Sequence, residues 1–217
     1  MKKAVVSWSG GKDSCYAALL AQQQAYNPCV LLNVLNEEGA FSSSHRTAKN
    51  ILERQAQLFQ KPITLISASW QAYEKTFTNT LQELKKVHDI THAIFGDIDL
   101  QAHRDWEEKV CATAQLKAVL PLWQQNRKAL VLEMLEAGIE TIIVSCNTEM
   151  GSRFLGQQLT PDLVIELENR GIDPCGENGE YHTLVTHCPL FQKPMLVALC
   201  GTVQHEGYWF AELELIA

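Results

Sequence analysis

Apolar, β-branched runs alternate with helix-period segments from the first residues onward. Buried strands are predicted at 4–7, 29–34, 63–67, 92–95, around 118–119 and at 140–146. The second follows a break at Asn27-Pro28, and the fifth precedes Pro121. Between them, helices are predicted over 13–24, 45–59, 70–87, 101–114 and 126–137. In the second helix Ala48, Ile51, Leu52, Gln55 and Leu58 fall near one face. Strands and helices in alternation predict an α/β fold: a parallel sheet with helices on both faces, its ligands bound at the carboxyl ends of the strands. From about Thr148 glycine and proline become frequent, and two antiparallel strands are predicted near 195–203 and 208–215. This reading divides the chain into a domain at 1–147 and a small C-terminal α+β lobe at 148–217.

Composition narrows the class. The chain has 217 residues, 46% hydrophobic and 20% charged, enough apolar material for a continuous core. A net charge of -7 gives no general pull toward a polyanion, so an extended nucleic-acid footprint is disfavoured. No stretch approaches the length of a membrane span, and the apolar run after Met1-Lys2-Lys3 is too short for a signal peptide. Seven scattered cysteines without a Cys-x-x-Cys pair indicate reduced thiols and a cytoplasmic protein.

The first predicted strand runs straight into Ser9-Gly10-Gly11-Lys12-Asp13-Ser14, where the first helix begins. Two glycines let backbone N–H groups close on a phosphate, and the helix N-terminus adds free donors and partial positive charge. Ser9 and Ser14 supply hydroxyls and Lys12 a mobile cation. Asp13 would repel bare phosphate, so its task lies at Mg²⁺ or in capping the helix. The spacing is not that of a Walker A loop. It resembles the PP-loop, Ser-Gly-Gly-x-Asp-Ser/Thr, of ATP pyrophosphatases, which cleave ATP between the α and β phosphates and transfer AMP to an acceptor. The expected ATP-binding set is Ser7, Trp8, Ser9, Gly10, Gly11, Lys12, Asp13, Ser14 and Gly96. Asp97, after the fourth strand, is read as a second Mg²⁺ or ribose ligand, or else as a helix cap.

A second dense segment runs Gly171-Ile172-Asp173-Pro174-Cys175-Gly176-Glu177-Asn178-Gly179-Glu180-Tyr181-His182-Thr183. Its glycines and proline force a loop, and loops so rich in carboxylate, phenol and imidazole carry recognition and catalysis. Taken alone, a Gly-Pro turn with solvated glutamates is the competing reading. The segment is similar to the Gly-Val-x-Pro-Ala/Cys-Gly-Glu-x-Gly-Glu-Tyr-His-Thr signature of the diphthine–ammonia ligase family, a PP-loop group. His45, Val110-Cys111 and Pro121-Leu122-Trp123 match further landmarks. The resemblance implies an adenine-nucleotide α-hydrolase-like domain whose small C-terminal lobe carries that loop. It also implies a two-step reaction: ATP adenylates the carboxylate of diphthine on translation elongation factor 2, and ammonia displaces AMP. Lys12, Asp13, Glu177, Glu180 and His182 are then the catalytic candidates. The acceptor would meet His45, Gly176, Glu177, Glu180, Tyr181, His182 and Thr183, and the class admits a homodimer.

Two stretches depart from the family pattern. Where it carries Ser-Asp-Tyr-Gln after the fourth-strand glycine, this chain reads Asp99-Leu100-Gln101-Ala102-His103-Arg104-Asp105-Trp106. Gly156-Gln157 stands where Gly-Arg is common. The first alters the stretch that would meet the acceptor, and the second removes a rigid bidentate anion clamp whose charge Gln cannot replace. Two rival functions are a tRNA-modifying PP-loop enzyme and an ATP-binding sensor without turnover. Cys175, His182, His187 and Cys188 fit no usual structural-zinc spacing.

Overall fold

The computed structural model describes residues 1–43 and 45–216. Strands β1 (Lys2–Ser7), β2 (Tyr26–Leu35), β3 (Ile63–Ser67), β4 (His92–Ile94) and β5 (Lys117–Val119) form a parallel sheet in the order β3-β2-β1-β4-β5. Alternate residues of β1 supply its two faces. Ala4 and Val6 face helices α1 (Lys12–Gln23) and α2 (Lys49–Phe59); Val5 faces α3 (Tyr73–His88) and α4 (Gln101–Thr113). The chain winds outward from β1 in both directions. The loops leaving the carboxyl ends of β1 and β4 therefore diverge and open a crevice.

A second sheet of β6 (Glu140–Asn147), β7 (Tyr181–His187), β8 (Val197–His205) and β9 (Tyr208–Leu215) is antiparallel throughout, in the order β7-β6-β9-β8. Helices α5 (Arg127–Glu136) and α6 (Pro161–Asn169) contribute Leu130, Val131, Met134, Leu163, Val164 and Leu167 to the core that α1 and α2 share with β6 and β7.

Three local expectations change. Strand β6, expected in the parallel sheet, lies between β7 and β9. A continuous apolar run marks burial on both faces, which a central antiparallel strand also has. Strand β2 continues through Asn27-Pro28 instead of starting after it. Its register with β1 slips between Pro28 and Val30, so Cys29 is bulged and the missing proline N–H costs no regular ladder bond. Helix α2 begins at Lys49, not at 45, because Ala48 pairs with Phe41 in an isolated bridge.

The two sheets are locked together at the loop after β1. The Val185 N–H on β7 donates to the Gly10 carbonyl at 2.9 Å. Gln55, 0% exposed on α2, donates Nε2 to the same carbonyl at 3.0 Å and to the Val185 carbonyl at 2.8 Å. Its Oε1 accepts from Trp8 Nε1 at 2.9 Å. Replacing Gln55 by Leu keeps the volume but strands a buried indole N–H and a buried carbonyl. We expect a loss of about 3 kcal/mol and a Tm lower by about 6–12 °C, measurable by thermal denaturation of Gln55→Leu against wild type.

Candidate active site

The PP-loop segment turns sharply between β1 and α1 and is held by its own hydroxyls. Ser9 Oγ lies 3.0 Å from Ser14 Oγ and accepts the Gly11 N–H at 3.2 Å; Ser14 Oγ donates to the Gly11 carbonyl at 3.1 Å. Two glycines are required by close approach. A Cβ on Gly11 would stand 2.6 Å from His45 Cε1 and 3.0 Å from the Thr183 carbonyl oxygen. One on Gly96 would stand 2.7 Å from the Asp13 and Ser14 backbone. Gly96 thus lets the end of β4 press against the first turn of α1.

Beside this loop, at the carboxyl ends of β1 and β2, lies a cavity of ≈ 80 Å³ lined by Ser7, Trp8, Ser9, Asn33, Tyr73 and Phe77, among others. Asn33 donates Nδ2 to the Trp8 carbonyl at 2.7 Å, while its buried Oδ1 has no partner among the described residues. A larger hollow of ≈ 430 Å³ beside Glu53, Gln57, Gln60 and Lys61 shares none of these groups.

The second motif folds directly over the PP-loop. The Lys12 N–H donates to Thr183 Oγ1 at 3.1 Å. Lys12 Nζ donates to the Cys175 carbonyl at 2.5 Å and pairs with Asp13 at 2.9 Å. It also sits 5.5 Å from the centre of the Tyr181 ring. Lys12 is only 3% exposed, so it is not the mobile cation expected from the sequence. Burial pulls its pKa down, but the charges of Asp13, Tyr181, Cys175 and Glu177 outweigh that and hold it above the ordinary lysine range.

Other expected residues also serve to fasten the site. Trp8 is 0% exposed, packed on Phe59 and Phe191, so only its backbone is left to line the cavity. Tyr181, 1% exposed, donates its hydroxyl to the Pro174 carbonyl. Glu180 accepts from the Asp173 N–H at 3.2 Å and from the Asn178 N–H and Nδ2 at 3.1 Å, which ties its carboxylate into its own loop. These side chains hold the loop together.

Four expected residues keep chemistry in reserve. Asp13 retains a buried Oδ1 with no partner among the described residues. Glu177 is pushed up to about 7, first by burial and then by the charge of Asp13, with Lys12 opposing. His45 and His182 stack with ring centres 4.5 Å apart, and His45 Nδ1 lies 3.2 Å from the Thr183 carbonyl. Burial and the charge of Lys12 lower His182 to about 4, and burial and His182 hold His45 well below the usual imidazole range. Both rings are neutral at pH 7.

Asp97 does not take the expected capping role: helix α4 has Leu100 at its N-cap without a side-chain cap. The Asp97 carboxylate accepts from His103 Nδ1 at 2.7 Å. That bond and the neighbouring Glu107 carboxyl hold it below the usual carboxylate range in spite of burial. Glu107, 3% exposed, keeps a buried Oε2 without a partner among the described residues, and burial and the neighbouring Asp97 push it up to about 11.

Gln55, Glu107 and Arg127 were not singled out as functional from sequence. Gln55 had a signal, a polar residue on an apolar helix face. Glu107 lies four residues after His103, a helical spacing that also suits solvated charges. Arg127 bonds both oxygens of Asp99 at 2.7 Å and also meets Asp173, a convergence that no spacing reveals.

The diphthamide synthase N-terminal domain model matches residues 1–118, and its C-terminal counterpart matches residues 126–216. The chain belongs to the diphthamide synthase family. It is 27% identical to the human diphthine–ammonia ligase and 29% identical to the zebrafish (Danio rerio) one, over 94% of this chain and 85% and 89% of those proteins. The Schizosaccharomyces pombe diphthine–ammonia ligase is 26% identical over 92% of this chain, which spans 36% of that protein. A solved structure titled as a predicted subunit of tRNA methyltransferase from Methanocaldococcus jannaschii aligns at a TM-score of 0.47 and 18% identity, over 87% of this chain and 98% of that one. Membership makes this an enzyme of the ligase type, and no helix among the described residues is long and apolar enough to cross a membrane.

The buried histidines predict a pH effect. His182 titrates near 4 in the fold against an ordinary value of 6.5. The unfolded chain therefore binds the proton first, and the stability this ring contributes is complete above about 6.5 and is lost as pH falls toward 4. We expect Tm to fall across that window and His182→Asn to flatten the fall, measured by thermal scans at stepped pH.

Proposed function

We propose that the chain is an ATP-dependent, AMP-forming ligase that adenylates a carboxylate and amidates it with ammonia. The observation that carries this reading is the clasp between the two motifs: Lys12 is held at once by Asp13 and by the Cys175 carbonyl, which brings Glu177 over the phosphate loop. An adenylating site needs this arrangement, because activation and nucleophilic attack must occur at one carbon.

The residues divide the work as follows. The backbone donors after Gly11, with Ser9 and Ser14, receive the phosphates at the start of α1. The cavity at Ser7, Asn33, Tyr73 and Phe77 takes part of the nucleoside, with Asn33 Oδ1 as a waiting acceptor. Burial of Lys12 leaves the loop short of a cation, and the unpartnered Asp13 oxygen is a hard donor that fits Mg²⁺. Asp13 would hold the ion together with the nucleotide's own phosphates, and the ion would offset charge on the departing pyrophosphate.

For the second step, Glu177 sits at the balance between acid and base near neutral pH. Its carboxylate draws ammonium into the site and takes its first proton. His45 and His182, kept neutral, present a flat wall to the acceptor without repelling the cation. Diphthine on translation elongation factor 2 is the acceptor to test first, and a cytoplasmic location follows from that choice.

The test supplies ATP, Mg²⁺ and ammonium with and without diphthine-bearing elongation factor 2, resolving AMP from ADP. AMP and pyrophosphate formed only with the factor support the reading, whereas ADP and phosphate would sink it. Glu177→Gln should lower amide formation by about 100-fold or more and leave ATP binding intact by equilibrium dialysis.

A further inference from the structure

One apolar side chain stands where the fold gives it no strand to pack on. The stripe that α3 turns toward the parallel sheet is Tyr73, Phe77, Leu81 and Leu84, of which the last three are buried. Trp70 continues the same spacing three residues before Tyr73, in the 3₁₀ turn Trp70–Ala72 that leads into the helix. The strands stop short of it. β3 ends at Ser67, paired with Leu35 at the end of β2, and Ala68 adds one last backbone bond to Leu35 at 3.4 Å. Ser69 then caps the turn by accepting the Ala72 N–H, and the stripe begins beyond the carboxyl edge of the sheet. Trp70 is left 89% exposed, more than any other large hydrophobic side chain among the described residues.

That edge is where the cavity of ≈ 80 Å³ opens. Tyr73 and Phe77 line it, together with Asn33 and Val34 of β2. The Trp70 and Tyr73 ring centres are 6.0 Å apart with the rings 43° from parallel, and Tyr73 stacks on Phe77 at 6.2 Å and 5°. An aromatic series therefore runs from inside the cavity to its rim, with Trp70 as the outermost ring. The residues next to it are polar: Gln71 is exposed, and Glu74 pairs with Lys109 at 2.7 Å. A lone ring in a polar surround suits one small flat ligand better than a protein face, which would need a wider apolar patch.

A site that encloses a whole organic ligand runs to about 300–1,000 Å³, so this cavity holds only part of a purine. A bound base would keep one face at the rim. Stacking on tryptophan covers such a face without asking for a hydrogen bond. An exposed side chain changes rotamer in picoseconds to nanoseconds, so the ring can close after the base has entered. We propose that Trp70 is the outer wall of the base subsite, stacking on the purine of ATP from the solvent side while Tyr73 and Phe77 line the inner side. The assignment rests on the nucleoside placement proposed above.

Equilibrium dialysis with ATP and with tripolyphosphate, each with Mg²⁺ and without acceptor or ammonium, separates the base from the phosphates. Trp70→Ala should weaken ATP binding by about 5–150-fold and leave tripolyphosphate binding within a few-fold of wild type. Trp70→Phe, which keeps a π-face, should recover most of the affinity. ATP should quench tryptophan fluorescence in wild type and far less in Trp70→Phe. Because the ring is exposed, neither change should move the Tm of the free protein. Unchanged ATP affinity in Trp70→Ala overturns the assignment and leaves the ligase reading standing, which AMP formation by wild type tests separately. A raised acceptor KM with ATP affinity intact also overturns it and gives the ring to the acceptor. Equal loss of ATP and tripolyphosphate overturns it as well, since the change would then act through the phosphate loop. A wild type that binds no ATP removes the nucleotide reading, and this assignment falls with it.

Discussion

The carbonyl of Gly10 accepts two hydrogen bonds from outside its own loop, one from the β7 backbone and one from the buried amide of Gln55. A phosphate-binding loop has to point its N–H groups at the ligand, which turns carbonyls inward, and an inward carbonyl without a donor is costly. Here the C-terminal sheet supplies that donor. The second lobe is thus part of the wall of the proposed nucleotide site. Thr183 repeats the arrangement two residues earlier in β7, its hydroxyl accepting the Lys12 N–H.

Electrostatics follow from the same closeness. Drawing the Cys175 carbonyl over the loop buries Lys12, and the positive charge expected to be mobile is spent inside the protein. Asp13, Asp97 and Glu177 are left around the crevice, and burial first, then the charge of neighbouring carboxylates, raises Asp13 and Glu177. Such a site attracts cations, which suits ammonium as a guest of the proposed reaction. The second motif meanwhile is braced from outside by Arg127, which joins Asp99 to Asp173 and fixes the loop of Glu177 relative to the end of β4.

Much of the fold was legible because its signals are local. Alternating strand and helix patterns, a Gly-Gly turn entering a helix, and a loop forced by Gly171, Pro174 and Gly176 all depend on near neighbours. The parallel sheet and both motifs follow from them. Strand β6 was placed in the wrong sheet because an apolar run reports burial and says nothing about its partner. The boundaries at Pro28 and Lys49 moved for a similar reason, a bulge and a single bridge set by contacts across the fold.

The sequence determined which chemistry is present: a phosphate loop, a carboxylate-rich second loop, and few charges to draw a polyanion. It could not rank those residues, because Glu177 and Glu180 are alike in composition and spacing. Tertiary structure separates them by giving Glu180 the donors of its own loop and leaving Glu177 without any among the described residues, buried near Asp13. It likewise buried Tyr181 and Lys12 in contacts within the protein and set His103 against Asp97. The physical reason is that a side chain's role depends on burial and on partners far along the chain, and both exist only once the two sheets have closed on each other.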